Sequence, residues 1–445
     1  RERVRWHDDK NSGGLAMRFE RYKEVEPSWL KEVPSHWDVR RIASVFVQRK
    51  ERNKPIKTEE ILSLSAKYGV SLYSERKEKG GNKPKEDISN YNICHEGDIL
   101  VNCMNIVAGS VGMSQYYGAI SPVYYALKII DNNSDKRYME YVFRNYNFQR
   151  SLVGTGKGIQ MSESDDGRLF TVRMRIAYDS LKVQNVPIPP LQEQEQIANF
   201  LDWKINEINK LIEQEKKKIA LFENLNNTII RNKISEVSVF RNVPLKRVCS
   251  VIAGKEISVE VDSENSEAVR VFGSGDKVFK YTNNHLLDGE FIIFGRKGTI
   301  GKPYIVEGKL WIVDTAYAMK NNHLTDFKYL YYLMKIFPWE DFATNTVKPS
   351  IVANQILMQK IILPEIDVQI EVARNIDNLI EKNKELVEVI QHKIIELDKL
   401  KQSLISSVVT GKIDIRDIVI PEYEKVESIF EEDEDQVEGG EDEWD

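Results

Sequence analysis

Two stretches of this chain carry the same long stripe of apolar residues. Positions 201, 205, 208, 212, 215, 219, 222, 226 and 229 hold Leu, Ile, Ile, Ile, Glu, Ile, Phe, Asn and Ile, so seven of nine are apolar. Positions 376, 380, 383, 387, 390, 394, 397, 401, 404 and 408 hold Ile, Ile, Asn, Val, Ile, Ile, Leu, Lys, Leu and Val, eight of ten apolar. Spacing by alternate fours and threes over about four heptads predicts helices that pair with other helices. Pro189 and Pro190 stand just before the first stretch and Pro364 just before the second, where a missing N–H costs nothing. Gly411 follows the second as a stop. The first helix, Leu191 to about Glu236, would be about 70 Å long at ~1.5 Å per residue.

The two stretches are copies. PPLQEQEQIANFLD and LPEIDVQIEVARNID align without a gap at an offset of 175, which pairs Gln194 with Gln369, Ala198 with Ala373, Asp202 with Asp377, Leu225 with Leu400 and Ile230 with Ile405. Neither helix can bury its stripe alone, and equal lengths on one chain predict that the two pack together. The packing is antiparallel if the segment between them returns the chain. The polar interruptions Glu215, Asn226, Asn383 and Lys401 are candidates for fixing register.

Ahead of each helix lies a segment of domain size, about Pro34 to Pro187 and about Val243 to Pro364. Both open alike, HWDVRRIASVF against VPLKRVCSVI, with Val39, Arg41, Ile42 and Val45 set against Leu245, Arg247, Val248 and Val251. Both continue through glycine-punctuated strand patterns, GDILVNCMNIVAGSVG and GEFIIFGRKGTIGKPYIV, and both end in an aromatic helical stretch, KRYMEYVFRNYNFQR and FKYLYYLMKIF. The expected fold class is α+β: two globular α/β domains separated by two long helices packed as an antiparallel coiled coil, in a pseudo-twofold internal repeat. The expected boundaries are 1–16 as a leader, 17–190, 191–240 (helix), 241–364, 365–413 (helix) and 414–445 as a C-terminal segment with an acidic tail.

Composition narrows the class. A length of 445 residues suggests more than one core. No apolar run approaches the roughly 18 residues needed to span a bilayer, and no secretory signal is evident. The three cysteines, Cys94, Cys103 and Cys249, are odd in number and lack CxxC spacing, which fits a reducing cytoplasm. The net charge of −6 hides an asymmetry: Glu422 to Asp445 holds thirteen acidic residues against Lys425, which leaves +6 on the rest. The body is mildly basic, as nucleic-acid binding requires, and the tail reads as a disordered acidic segment.

With PPLQEQEQIANFLD, the second copy closing in VVTGKIDIR, the opening EVPSHWDVRRI, and ISPVYYALKI and GRKGTIGKPY inside the globular segments, the chain resembles the specificity subunits of type I restriction-modification systems from Phe19 to Ile420. The resemblance implies two target recognition domains that read an asymmetric bipartite site on double-stranded DNA. It implies partners: two modification (methyltransferase) subunits docked on the helices, and restriction (translocase and nuclease) subunits. S-adenosylmethionine, ATP and Mg would sit on those partners and no cofactor on this chain. The first copy departs from the pattern, ending in NKISEV without the Thr-Gly-Lys of the second.

Candidate DNA contacts are basic residues beside glycines. SERKEKGGNKPK offers Arg76, Lys77, Lys79, Lys83 and Lys85 for phosphates, and GTGKGIQ offers Lys157. GRKGTIG offers Arg296, Lys297 and Thr299, and TVKPSI offers Lys348. Arg296 is the candidate for a bidentate guanine contact. Leu211, Leu221, Leu225, Ile230, Ile395, Leu400 and Ile405, off the seam, are candidates for docking the partner subunits. Catalytic motifs are missing: Gly301-Lys302 runs into Pro303, so there is no GxxxxGK[ST] loop, and six scattered histidines show no HExxH spacing. A non-catalytic subunit is therefore expected. A coiled-coil scaffold joining two protein-binding modules is the rival reading.

Overall fold

A computed structural model describes residues 18–425 apart from 67–68, 76–83, 85–86, 157–160, 164–168, 172–174, 264–266 and 345–348. The chain divides into two compact units, the first formed by residues up to Gln214 and from His392 on, the second by Glu215–Gln391. The predicted helices are present as Leu191–Ser235 and Ile366–Val409, and each contributes one part to each unit.

In the first unit a four-stranded sheet runs in the order Phe46–Gln48, Tyr124–Ile129, Ile99–Asn102, Val111–Met113. The helix Lys136–Arg144 packs its buried Tyr138, Met139, Val142 and Phe143 into the same core as Trp37 and Phe46. That core also takes in Ile197, Ala198 and Leu201 from the first long helix and Ile405, Val408 and Val409 from the second. Lys401 Nζ donates to Asn209 Oδ1 at 3.4 Å further along the pair, so the helices run antiparallel here. Gly411 ends the second helix with φ +70°, and a Cβ there would stand 2.4 Å from Pro34 Cδ and 3.0 Å from the Trp37 ring. This close approach is the local reason for a glycine in VVTGKID.

In the second unit a six-stranded sheet runs in the order Cys249–Ala253, Ala316–Asn321, Leu287–Gly295, Gly301–Ile312, Val269–Phe272, Val278–Thr282. Its aromatic helix Phe327–Lys335 buries Tyr329, Leu330, Tyr332 and Met334, and Ile230 and Ile234 share that core with Ala373 and Ile376. Asn383 Nδ2 donates to Asn226 Oδ1 at 2.7 Å, an antiparallel register pin between the two predicted polar interruptions. The whole predicted seam is buried or half-buried, position by position, on both helices.

Each domain closes by pairing a strand near its start with its last. Asp38–Arg41 lies antiparallel to Asn185–Ile188, and Arg241–Pro244 to Lys360–Leu363. Ile42 N–H donates to Gln184 O and Leu245 N–H to Gln359 O, each at 2.9 Å, so Ile42 corresponds to Leu245. The sequence pairing of Ile42 with Val248 is thus one helical turn out of step. Apolar residues recur at Ile42 and Val45 as at Leu245 and Val248, and a pattern with that period aligns equally well when slid by three.

The two aromatic helices form a second internal match, at an offset of 191. Asp135 and Asp326 cap them, each carboxylate accepting from the N–H of Tyr138 or Tyr329 at 2.8 Å. Gln194 and Gln369, 0% and 1% exposed, tie each cap to the following long helix. Gln194 Oε1 accepts from Asp135 N–H at 2.8 Å while its amide donates to Pro189 O and Asn133 O. Gln369 repeats this with Asp326 N–H, Pro364 O and Leu324 O. Asp202 then accepts from Tyr141 and Arg137, and Asp377 from Tyr332 and Lys328.

Candidate nucleic-acid interface and docking faces

Three predicted residues of the second domain, Arg296, Lys297 and Thr299, fall together at one end of its sheet. They occupy the turn between Leu287–Gly295 and Gly301–Ile312. Lys297 bridges to Ser350 in the TVKPSI segment, and Gly298 N–H donates to Pro349 O at 3.1 Å. The GRKGTIG turn and Pro349–Ser350 of TVKPSI therefore form one surface. Gly298 has φ +78° and open space around it, so the turn leaves Thr299 and Lys297 exposed. Lys297 Nζ pairs with Asp314 at 2.8 Å, an exposed ion pair worth at most about 1 kcal/mol, which a phosphate can displace. Arg296 is half-buried, with its guanidinium 5.2 Å from the Tyr317 ring centroid and Nη1 3.4 Å from Asp314 O.

The first-domain candidates Arg76, Lys77, Lys79, Lys83, Lys85 and Lys157, and Lys348 of the second domain, lie outside the described residues. Arg175 of the first domain was missed, because it carries no neighbouring glycine or lysine cluster to mark it. Its side chain is exposed, and the carbonyl of the next residue, Ile176, accepts from the Tyr125 hydroxyl at 3.0 Å.

The docking candidates separate into two groups. Leu211, Leu221, Leu225, Ile395 and Leu400 are exposed large apolar side chains on the long helices. Ile230 and Ile405 are not outer-face residues: they are 2% and 4% exposed inside the two unit cores. Where a helix runs beside a globular body the covered stripe widens beyond the seam, and these two end positions are taken up by it.

Burial pushes the thiols of Cys94 and Cys249 up to about 12 and that of Cys103 upward, so all three stay protonated and unreactive at neutral pH. Among the described residues no group of three His, Cys, Asp or Glu is arranged to hold a metal ion. None of the described helices is long and apolar enough to cross a membrane.

The profile of the type I restriction modification DNA specificity domain matches this chain twice, over residues 34–221 and 238–396. The Methanocaldococcus jannaschii protein named type I restriction enzyme MjaVIII specificity subunit is 24% identical over 449 residues, covering 91% of this chain and 99% of that one. The MjaX specificity subunit assigned to the same organism is 23% identical over 446 residues, covering 90% and 99%. A solved structure described as the basis of complex assembly and conformational transition of the type I R-M system shares the fold, with a TM-score of 0.55 at 13% identity over 85% of this chain and 98% of that one. Since the two matched stretches take in most of the chain, one for each strand-closed domain and the helix that follows it, this protein belongs to the type I restriction-modification DNA specificity family.

Proposed function

We propose that this specificity subunit reads an asymmetric bipartite site on double-stranded DNA, one half-site per globular domain, with unread base pairs between them. The observation that carries this reading is a shared frame around different interiors. The closing strands, capped aromatic helix and buried glutamine are duplicated, while one sheet has four strands and the other six. Equal frames deliver each domain to its helix in the same way, and unequal sheets present different surfaces to DNA. Modification subunits, one for each repeat, dock on the exposed leucines of the long helices, and restriction subunits join them. S-adenosylmethionine, ATP and Mg act on those partners, in the cytoplasm where the chromosome lies. The chain itself recognises and does no chemistry.

Salt distinguishes this from a protein scaffold. Each phosphate neutralised releases condensed counterions. With roughly 6–10 phosphate contacts, affinity for duplex DNA is expected to fall about 10³- to 10⁵-fold between 50 and 200 mM salt. A titration of the assembled complex against a duplex by fluorescence anisotropy measures the slope. Binding that is flat in salt, or no DNA binding by a complex whose subunits remain associated, favours the scaffold.

A further inference from the structure

The match between the domains extends to one end of each sheet, where the inner strands stop. In the first domain Cys103 N–H donates to Val123 O at 3.0 Å, and Cys103 O accepts from Ile176 N–H at 2.9 Å. In the second, Arg296 N–H donates to Thr315 O at 2.8 Å, and Arg296 O accepts from Ile351 N–H at 3.0 Å. Ile176 and Ile351 are separated by the same offset as the long helices. Cys103 and Arg296 therefore occupy one place in the frame, and Arg175 and Ser350 occupy another. Beside both places stands a tyrosine on the neighbouring strand: Tyr125, opposite Val101, or Tyr317, opposite Phe294. Each tyrosine is 6% exposed.

The side chains at the two places are exchanged. In the second domain the guanidinium at the tyrosine comes from Arg296, and the facing position is a serine. In the first domain the position of Arg296 is a cysteine, and the position of that serine is Arg175, next to Ile176, whose carbonyl accepts from the Tyr125 hydroxyl at 3.0 Å. Packing does not require this. An apolar or short polar side chain covers a tyrosine edge as well, and the sheets around the two sites have otherwise diverged. What the exchange keeps is a planar cation at this end of the sheet. A guanidinium resting on an aromatic ring loses less freedom on binding than one on a free stem, and its fork matches the O6 and N7 edge of guanine.

We propose that Arg175 and Arg296 are equivalent specificity-determining residues, each presenting a guanidinium from beside a buried tyrosine to a guanine in its own half-site. This rests on the two-reader function above and adds one reading residue per domain, with guanine as its target.

The test uses the whole complex, expressed in a methylation-free host whose chromosome serves as the probe, with modified bases mapped by sequencing. The wild type comes first: no bipartite motif there contradicts the two-reader function itself and is distinct from failure of this inference. Given a motif, each half is expected to contain a G·C pair. Arg175→Ala is expected to make that position degenerate in one half only, and Arg296→Ala in the other, with the intact half reporting that the subunit is folded. Affinity for a duplex carrying the motif should fall on the order of 10- to 100-fold, while affinity for an unrelated duplex stays the same. Arg175→Lys and Arg296→Lys keep the charge without the fork and should discriminate as poorly as alanine. A variant that assembles but no longer methylates is scored on the duplex measurements. An unchanged motif, a half-site without a G·C pair, equal losses on specific and unrelated duplexes, or full rescue by lysine overturns the proposal.

Discussion

Replacing Leu225 and Leu400 together by aspartate is expected to release the modification subunits while both units stay folded. These leucines correspond in the two helix copies, and both are exposed. A leucine buried against a partner contributes about 2 kcal/mol, and an unpaired aspartate in the same contact costs several more. Each change removes most of the roughly 8 kcal/mol that holds a micromolar complex together at its own repeat, so association should weaken by several orders of magnitude in gel filtration and affinity capture. The cost to the subunit itself is that of a helix-surface substitution, about 0.5 kcal/mol per site. Circular dichroism and melting should therefore be close to wild type. Normal assembly by the double variant removes these faces from the docking surface.

The second large effect is on folding. Gln194→Leu is expected to destabilise the first unit and Gln369→Leu the second, each by about 3–5 kcal/mol. Leucine fills the space, but it leaves the buried carbonyl of Pro189 or Pro364, and the half-buried N–H of the capping aspartate, without their side-chain partner. In the second unit Thr325 also loses the acceptor that lies 3.0 Å from its hydroxyl. Gln192→Leu, on the exposed side of the same helix, is the control and should change stability by less than about 0.5 kcal/mol. Denaturant melts give the magnitude, and amide exchange shows which unit opens first. A loss no larger than that of the control contradicts the bridging role.

These glutamines also show what the sequence made legible. The long helices were readable because a coiled-coil seam imposes one period over many turns, and the ungapped offset exposed the duplication directly. Asp202 and Asp377 were visible as matched residues, although their tyrosine partners were not. The aromatic helices match at a different offset, and the segments of unequal length before them conceal it. The opening segments were aligned one turn out of step, because an apolar residue every third position gives two nearly equal registers. Only the closing strand ladders decide between them.

The site was less legible for a related reason. Arg296 stood out beside its glycines. Arg175 did not, because its proposed role rests on its place at the end of the sheet, equivalent to that of Ser350, and no local pattern encodes that place. Ile230 and Ile405 were assigned outward from the seam alone, whereas the bodies packed beside the helix ends bury them. Heptad position describes what a partner helix covers and does not describe what a neighbouring domain covers.

The most direct test of the account is the methylome of a methylation-free host that expresses this subunit with its modification partner. Two readers with different sheets on matching helices predict one new asymmetric motif: two unlike half-sites separated by a fixed number of unread base pairs. A palindromic motif, a single continuous one, or no new modification from an assembled complex would contradict it.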